Sequence, residues 1–191
     1  MAAVESPIDM EAFENAVHEW FSTNTGLMTI WRQSSSPQPE RPYGSLLRVA
    51  GPVAISPHWE VRASTDLSRE AGKEIAQEAC VPCRITISCQ AHVAQPDGSN
   101  PNQNAEFYIN KAQSSLSLPS VGVTFKAANI SVLQPGEVQN LNQIVEDSFE
   151  SRANIDVIFG ASLSLTEYVG YIKTVQVKST ALGIDETVGD I

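Results

Sequence analysis

The sequence predicts an α/β chain of the α+β type, and three observations carry that prediction. Phe13, Ala16, Val17, Trp20 and Phe21 recur at helical spacing. Cys83 to Val93 alternates with period two, and Arg152 to Thr166 does the same over an unusually long run. With 191 residues, 42 % hydrophobic and 18 % charged, the chain is long enough to bury about 70 % of its unfolded surface. One domain is expected over 1–178. The remainder, 179–191, carries Asp185, Glu186 and Asp190 without a base and reads as a flexible acidic tail.

The first helix is expected over about 7–24. Ser6 supplies a cap, Pro7 fits the first helical position, and Asp9, Glu11 and Glu14 suit the positive end of the helix dipole. Gly26 ends it. Leu27 to Arg32 reads as a short strand running into Gln33–Pro42, a loop whose three serines and three prolines cannot pack a core. Tyr43 to Ala50 resumes a strand, Gly51-Pro52 reads as a turn, and Val53 to Arg62 continues extended. The polar stretch Ser64–Glu78 reads as a long hairpin loop.

Cys83, Ile85, Ile87, Cys89, Ala91 and Val93 share one face of the next strand, with Arg84, Thr86, Ser88, Gln90 and His92 on the other. After the loop Gln95–Asn104, a second helix capped by Asn104 aligns Ala105, Tyr108, Ile109, Ala112 and Leu116. Pro119–Asn129 fits a strand by its Val-Gly-Val-Thr-Phe run or a short helix by its proline. Ile130–Gln134 is a strand ended by Pro135-Gly136. From Ala153 to Leu165, seven apolar residues alternate with mostly polar ones. That makes a strand about 45 Å long at about 3.3 Å per residue, expected to reach beyond its own sheet. Tyr171 to Lys178 is its expected antiparallel partner, giving a long C-terminal β-hairpin.

Charge removes one class of function. The net charge is −10 with a pI near 4.7, and no basic stripe occurs, so the chain lacks the clustered Lys and Arg that phosphate-gripping proteins need. No run approaches the length of a membrane span. Met1 to Phe13 is acidic and has no apolar core of the secretory kind, so the three cysteines are expected reduced in a cytoplasm.

Chemical motifs are sparse. Cys80-Val81-Pro82-Cys83 followed by Cys89 and His92 spells C-x2-C-x5-C-x2-H, donors that zinc accepts. Cys89 and His92 are three apart on one strand and so point to opposite faces. A zinc or thiol protein built on Cys80, Cys83 and Cys89 is therefore the minor alternative. His18, His58 and His92 stand in no nucleophile motif, and Asp97–Asn104 lacks the glutamate that closes a calcium loop. No catalytic residue and no cofactor is expected. Candidate interface residues are Trp31, Tyr43 and Trp59 near polar loops, with Arg152, Asp156, Glu167 and Tyr168 along and beyond the long strand.

From about Glu11 to Lys178 the sequence resembles the tail-terminator or neck proteins of long-tailed bacteriophages. The likeness rests on the order and spacing of several short stretches. The opening helix runs into Thr25-Gly26-Leu27-Met28-Thr29-Ile30-Trp31-Arg32, and Pro42-Tyr43-Gly44 begins the next strand. Val138-Gln139-Asn140-Leu141, Glu150-Ser151-Arg152-Ala153 and Gly170-Tyr171-Ile172 follow. The resemblance implies a mixed, mainly antiparallel sheet with helices packed on one face, and no enzymatic activity. It implies a homo-oligomeric ring, typically a hexamer, at the head-proximal end of the tail. Implied partners are the tail-tube subunit, a head connector or stopper, and sheath protein where the tail contracts, with DNA passing through unread. A head-side adaptor or stopper ring is the nearest alternative.

Overall fold

The computed structural model describes residues 8–32, 38–56, 60–65, 75–94, 104–145, 148–169, 174–179 and 184–189. They form three helices, α1 (Met10–Thr25), α2 (Ala105–Ser115) and α3 (Pro119–Ala127). The strands are β1 (Met28–Trp31), β2 (Tyr43–Ala54), β3 (Glu60–Thr65), β4 (Ile75–Ala94), β5 (Ser131–Pro135), β6 (Gln139–Asn140), β7 (Gln143–Val145), β8 (Ser148–Val169), β9 (Thr174–Ser179) and β10 (Ile184–Gly189).

The helices start and stop for local reasons. Asp9 caps α1 by accepting the Ala12 N–H at 2.9 Å; the Ser6-Pro7 start lies outside the described residues. Gly26 ends it at φ 76°, donating its own N–H to Ser22 O. Asn104 caps α2 as expected, through Phe107 N. The ambiguous Pro119–Asn129 is helix. Proline opens it and Asn129, at φ 55°, closes it so that the Ile130 N–H reaches Phe125 O at 2.8 Å. With Val121 and Phe125 buried four residues apart, tertiary packing outweighs the β propensity of the valines.

The main sheet runs β1-β2-β4-β8-β5, with β3 beside β4 and β6 and β7 beside β8. Among the described residues β1 and β2 pair in parallel; β2 and β3 on β4, and β5, β6 and β7 on β8, are antiparallel. Side-chain pairs Ser88–Asn154, Gln90–Arg152 and His92–Glu150 climb one strand as they descend the other, so β4 and β8 are antiparallel too. The architecture is the expected one, α+β with a mixed and mainly antiparallel sheet.

Three strand boundaries differ from expectation. Gly51-Pro52 makes no turn; β2 runs through it with register shifts after Arg48 and after Ala50, a bulged strand that accommodates proline at its edge. The expected loop Ser64–Glu78 is shorter, because β3 ends at Thr65 and Ile75–Cys80 pair with Glu60–Thr65. Thr174–Ser179 pairs not with β8 but with Ile184–Gly189, a stretch read from its acids as part of a tail. Ile184, Thr187 and Val188 favour extended backbone there, and they outweigh Asp185 and Glu186.

The chain divides into two compact units, one of Pro7–His58 and Val81–Leu163, the other including Trp59–Cys80 and Ser164–Ile191. The first holds the hydrophobic core. Leu46, Ile85, Ile87, Cys89, Ala91, Ala153, Ile155, Val157 and Phe159 on the sheet join Phe13, Val17, Trp20 and Phe21 of α1, Ile109 of α2 and Phe125 of α3 in one buried cluster. All three helices therefore pack on one face. Each such large side chain contributes about 1.5–3 kcal/mol by leaving water. Trp20 donates its indole N–H to Ser115 Oγ at 2.9 Å, tying α1 to α2 inside that apolar layer. Within the first unit β8 spends its length on partners of its own: β7, β6 and β5 share its border from Ser148 to Gly160.

Candidate assembly surfaces and a buried polar ladder

The sheet face away from the helices is polar and largely buried. Alternation puts Tyr43 and Ser45 of β2, Ser88, Gln90 and His92 of β4, and Glu150, Arg152 and Asn154 of β8 on it. Rungs cross the strands. His92 Nε2 lies 3.1 Å from Ser45 Oγ and His92 Nδ1 lies 3.3 Å from Glu150 Oε1. Arg41 donates to the other Glu150 oxygen at 3.1 Å, and Gln38 donates to the Tyr43 hydroxyl. Arg152 donates to Gln90 Oε1 at 3.0 Å, and Ser88 to Asn154 Oδ1 at 2.7 Å.

Ser45, His92 and Glu150 thus stand in the order of an acyl-transfer relay. Ser45 is only 1 % exposed, so no substrate carbonyl reaches its hydroxyl. Desolvation lowers the His92 pKa to about 4 from 6.5; Arg152 and Arg32 push the same way, against Glu150. The imidazole is neutral near pH 7 and works as a hydrogen-bonded strut between β2, β4 and β8.

The cysteines do not converge with His92. Cys89 belongs to the helix-side core, and His92 stacks on Tyr43 on the opposite face. Burial pushes the Cys89 thiol pKa up, and burial together with the adjacent Glu78 raises that of Cys80. Both shifts disfavour the thiolate, the form that attacks or binds metal.

The candidate interface residues scatter. Trp31 is half-buried on β1 and packs against the core. Tyr43 is 3 % exposed. Arg152 is half-buried in the ladder, with no acceptor for Nε; Asp156 is exposed and accepts from Asn154. Trp59 and the side chains of Glu167 and Tyr168 lie outside the described residues, as do residues 33–37 and 95–103 of the two loops. The ladder itself escaped sequence reading, which placed Ser88, Gln90 and His92 together on one face of their strand without naming partners for them. The available signal was that β4 and β8 both carry polar residues on every second position, a match that pairing the two strands would have revealed.

The strand borders differ in how they are guarded. β1 spans only Tyr43–Leu46 of β2, leaving the rest of β2 with an outer border that carries two bulges and Pro52. β5, at the other end, has a bulge after Val132 and ends in Pro135. Bulges and prolines are devices that discourage edge-to-edge pairing. β3 has neither: its six residues keep unbroken register with β4 and all are exposed. On the helical side, an open groove of about 480 Å³ runs past Asn24, Phe107, Lys111 and Leu118.

A family model described as phage neck terminator protein matches residues 11–184. The chain belongs to the phage neck terminator family. A search of curated proteins finds no match. Family membership gives the chain a structural role in the neck of a phage particle, among other head and tail components. That role agrees with a molecule whose buried polar ladder is a strut and whose exposed features include strand borders and a groove.

Proposed function

We propose that this chain assembles into a closed ring of identical copies, six by the family resemblance, at the head-proximal end of the tail tube. The ring occupies the growing end so that no further tube subunit adds, and it presents its opposite side to the head connector or stopper. Where the tail contracts, the last sheath ring meets it as well. Assembly takes place in the host cytoplasm. The observation that carries the reading is the family match across residues 11–184.

The charge supports a DNA conduit. At −10 per chain, a ring repels phosphates, so DNA slides through without sticking. Mechanism here is geometric: one face of the ring imitates the mating surface of a tube subunit and blocks the next addition.

The test mixes purified protein with polymerising tube subunits and, separately, with portal-bearing heads. Capped tubes of arrested length, with protein at one tip in electron micrographs, are the expected result. Binding to heads alone, with tubes growing unchecked, would replace this reading by that of a head-side adaptor.

A further inference from the structure

We propose that neighbouring copies join by adding the C-terminal ribbon β9–β10 of one copy to the open border of β3 in the next. The inference rests on the ring reading and names where its subunits meet.

Three observations on the second unit carry it. First, β3 is the acceptor that the chain leaves unguarded. Glu60–Thr65 pair on one side with Ile75–Cys80, and among the described residues no strand pairs on the other side. All six residues are exposed, Val61 at 64 %, neither proline nor bulge interrupts them, and their two charges, Glu60 and Arg62, are paired with each other. A free, regular strand border presents a row of N–H and C=O groups whose natural complement is another strand.

Second, β9–β10 is a donor of matching length. Thr174–Ser179 and Ile184–Gly189 are six residues each in unbroken antiparallel register, again without proline. Among the described residues they form a two-stranded sheet separate from the main one, and no ladder ties them to β3. Two strands alone are marginal in water and three or more are not. Docking on β3 places the ribbon in a sheet with β3 and β4.

Third, acceptor and donor are different surfaces. A self-complementary patch yields a two-fold dimer, whereas two distinct patches join head to tail and close into a ring. Of the other borders, those of β2 and β5 carry the bulges and prolines described above, and β1, β6 and β7 span only four, two and three residues, which leaves β3 as the longest regular border for pairing.

The experiment uses the full chain with Cys80→Ser as background. One preparation carries Ala63→Cys and a second carries Gln176→Cys or Thr187→Cys; the two are mixed, allowed to assemble with and without tail tubes, and treated with a short bis-maleimide. The expected result is a covalent dimer that contains one chain of each preparation. In parallel, Val61→Lys with Ala63→Lys, both at exposed positions, should weaken assembly about tenfold or more while far-UV circular dichroism and the thermal midpoint of the monomer stay unchanged. Mixed rings of the two cysteine preparations that form no such crosslink, or a lysine variant that assembles normally, would overturn the inference and leave the ring standing. A wild-type chain that keeps the mass of a single copy even on tubes would instead defeat the ring reading itself.

Discussion

The ring of His92 lies flat on the ring of Tyr43, centroids 4.5 Å apart and planes 6° from parallel. Their backbones are direct partners across β2 and β4, so the stack is a cross-strand pair on the polar face of the sheet. It explains why Tyr43, a residue with the profile of an interface anchor, is spent inside the chain. It also seals the imidazole from water while Ser45 and Glu150 hold its two nitrogens.

The first prediction concerns acid. His92 has a folded pKa near 4 against an ordinary 6.5, so below 6.5 the unfolded chain takes up a proton that the folded chain refuses. The contribution of neutral His92 is complete above about pH 6.5 and is lost as pH falls toward 4. Urea midpoints should decline between pH 6.5 and 5, before most carboxylates titrate. In His92→Gln the decline over that interval should flatten; an unchanged slope would show that another group is responsible.

A second prediction isolates the carboxylate. Glu150 is 4 % exposed at its side chain and holds both His92 and Arg41, the latter about a third exposed. Glu150→Ala leaves one buried and one half-solvated partner without an acceptor, and should cost about 2–3 kcal/mol in denaturant unfolding. Arg41→Ala should cost less, since solvent already shares the guanidinium. Equal losses would mean that the two residues act only as a pair.

How much of this was legible in the sequence follows from the physics of each part. The α1 stripe, the Asn104 cap, the Gly26 stop and the alternation in β4 and β8 are local signals, and the structure keeps them. What sequence hid was pairing. That β1 runs parallel to β2, that β9 chooses β10 over β8, and that Glu150 meets Arg41 across 109 positions are non-local facts without a local pattern. The polar ladder was hidden for the same reason, because a strand's polar side looks solvated until its neighbours are known. Pro119–Ala127 stayed open until its packing against Trp20 decided it.

Gly44 gives a third prediction. A Cβ added there would stand 2.6 Å from Cε1 of Phe21 and 3.1 Å from Oγ1 of Thr29. Both neighbours are buried, so neither ring nor hydroxyl has room to swing aside. Gly44→Ala should destabilise by about 1–3 kcal/mol, read as a lowered urea midpoint at unchanged slope. Gly51→Ala, whose Cβ would meet only the Arg48 side chain at 3.5 Å, is the control and should stay close to wild type.

The last prediction tests whether one aromatic joins the layers. Phe159 projects from β8 into the helices, with Phe13 of α1 edge-on at 5.7 Å, Phe125 of α3 at 5.5 Å and Trp20 at 6.2 Å. It is fully buried, so Phe159→Ala removes apolar area and opens a hole that rigid neighbours on two helices cannot fill. The expected cost is about 3–5 kcal/mol, a large share of the stability of a domain this size. Phe107→Ala, on the 46 % exposed outer side of α2, removes the same side chain without opening a cavity and should cost far less. Similar losses at the two positions would mean that α2 and its groove, not Phe159, carry the helical layer. A loss confined to Phe159 would show that the sheet holds α1 and α3 chiefly through this one side chain.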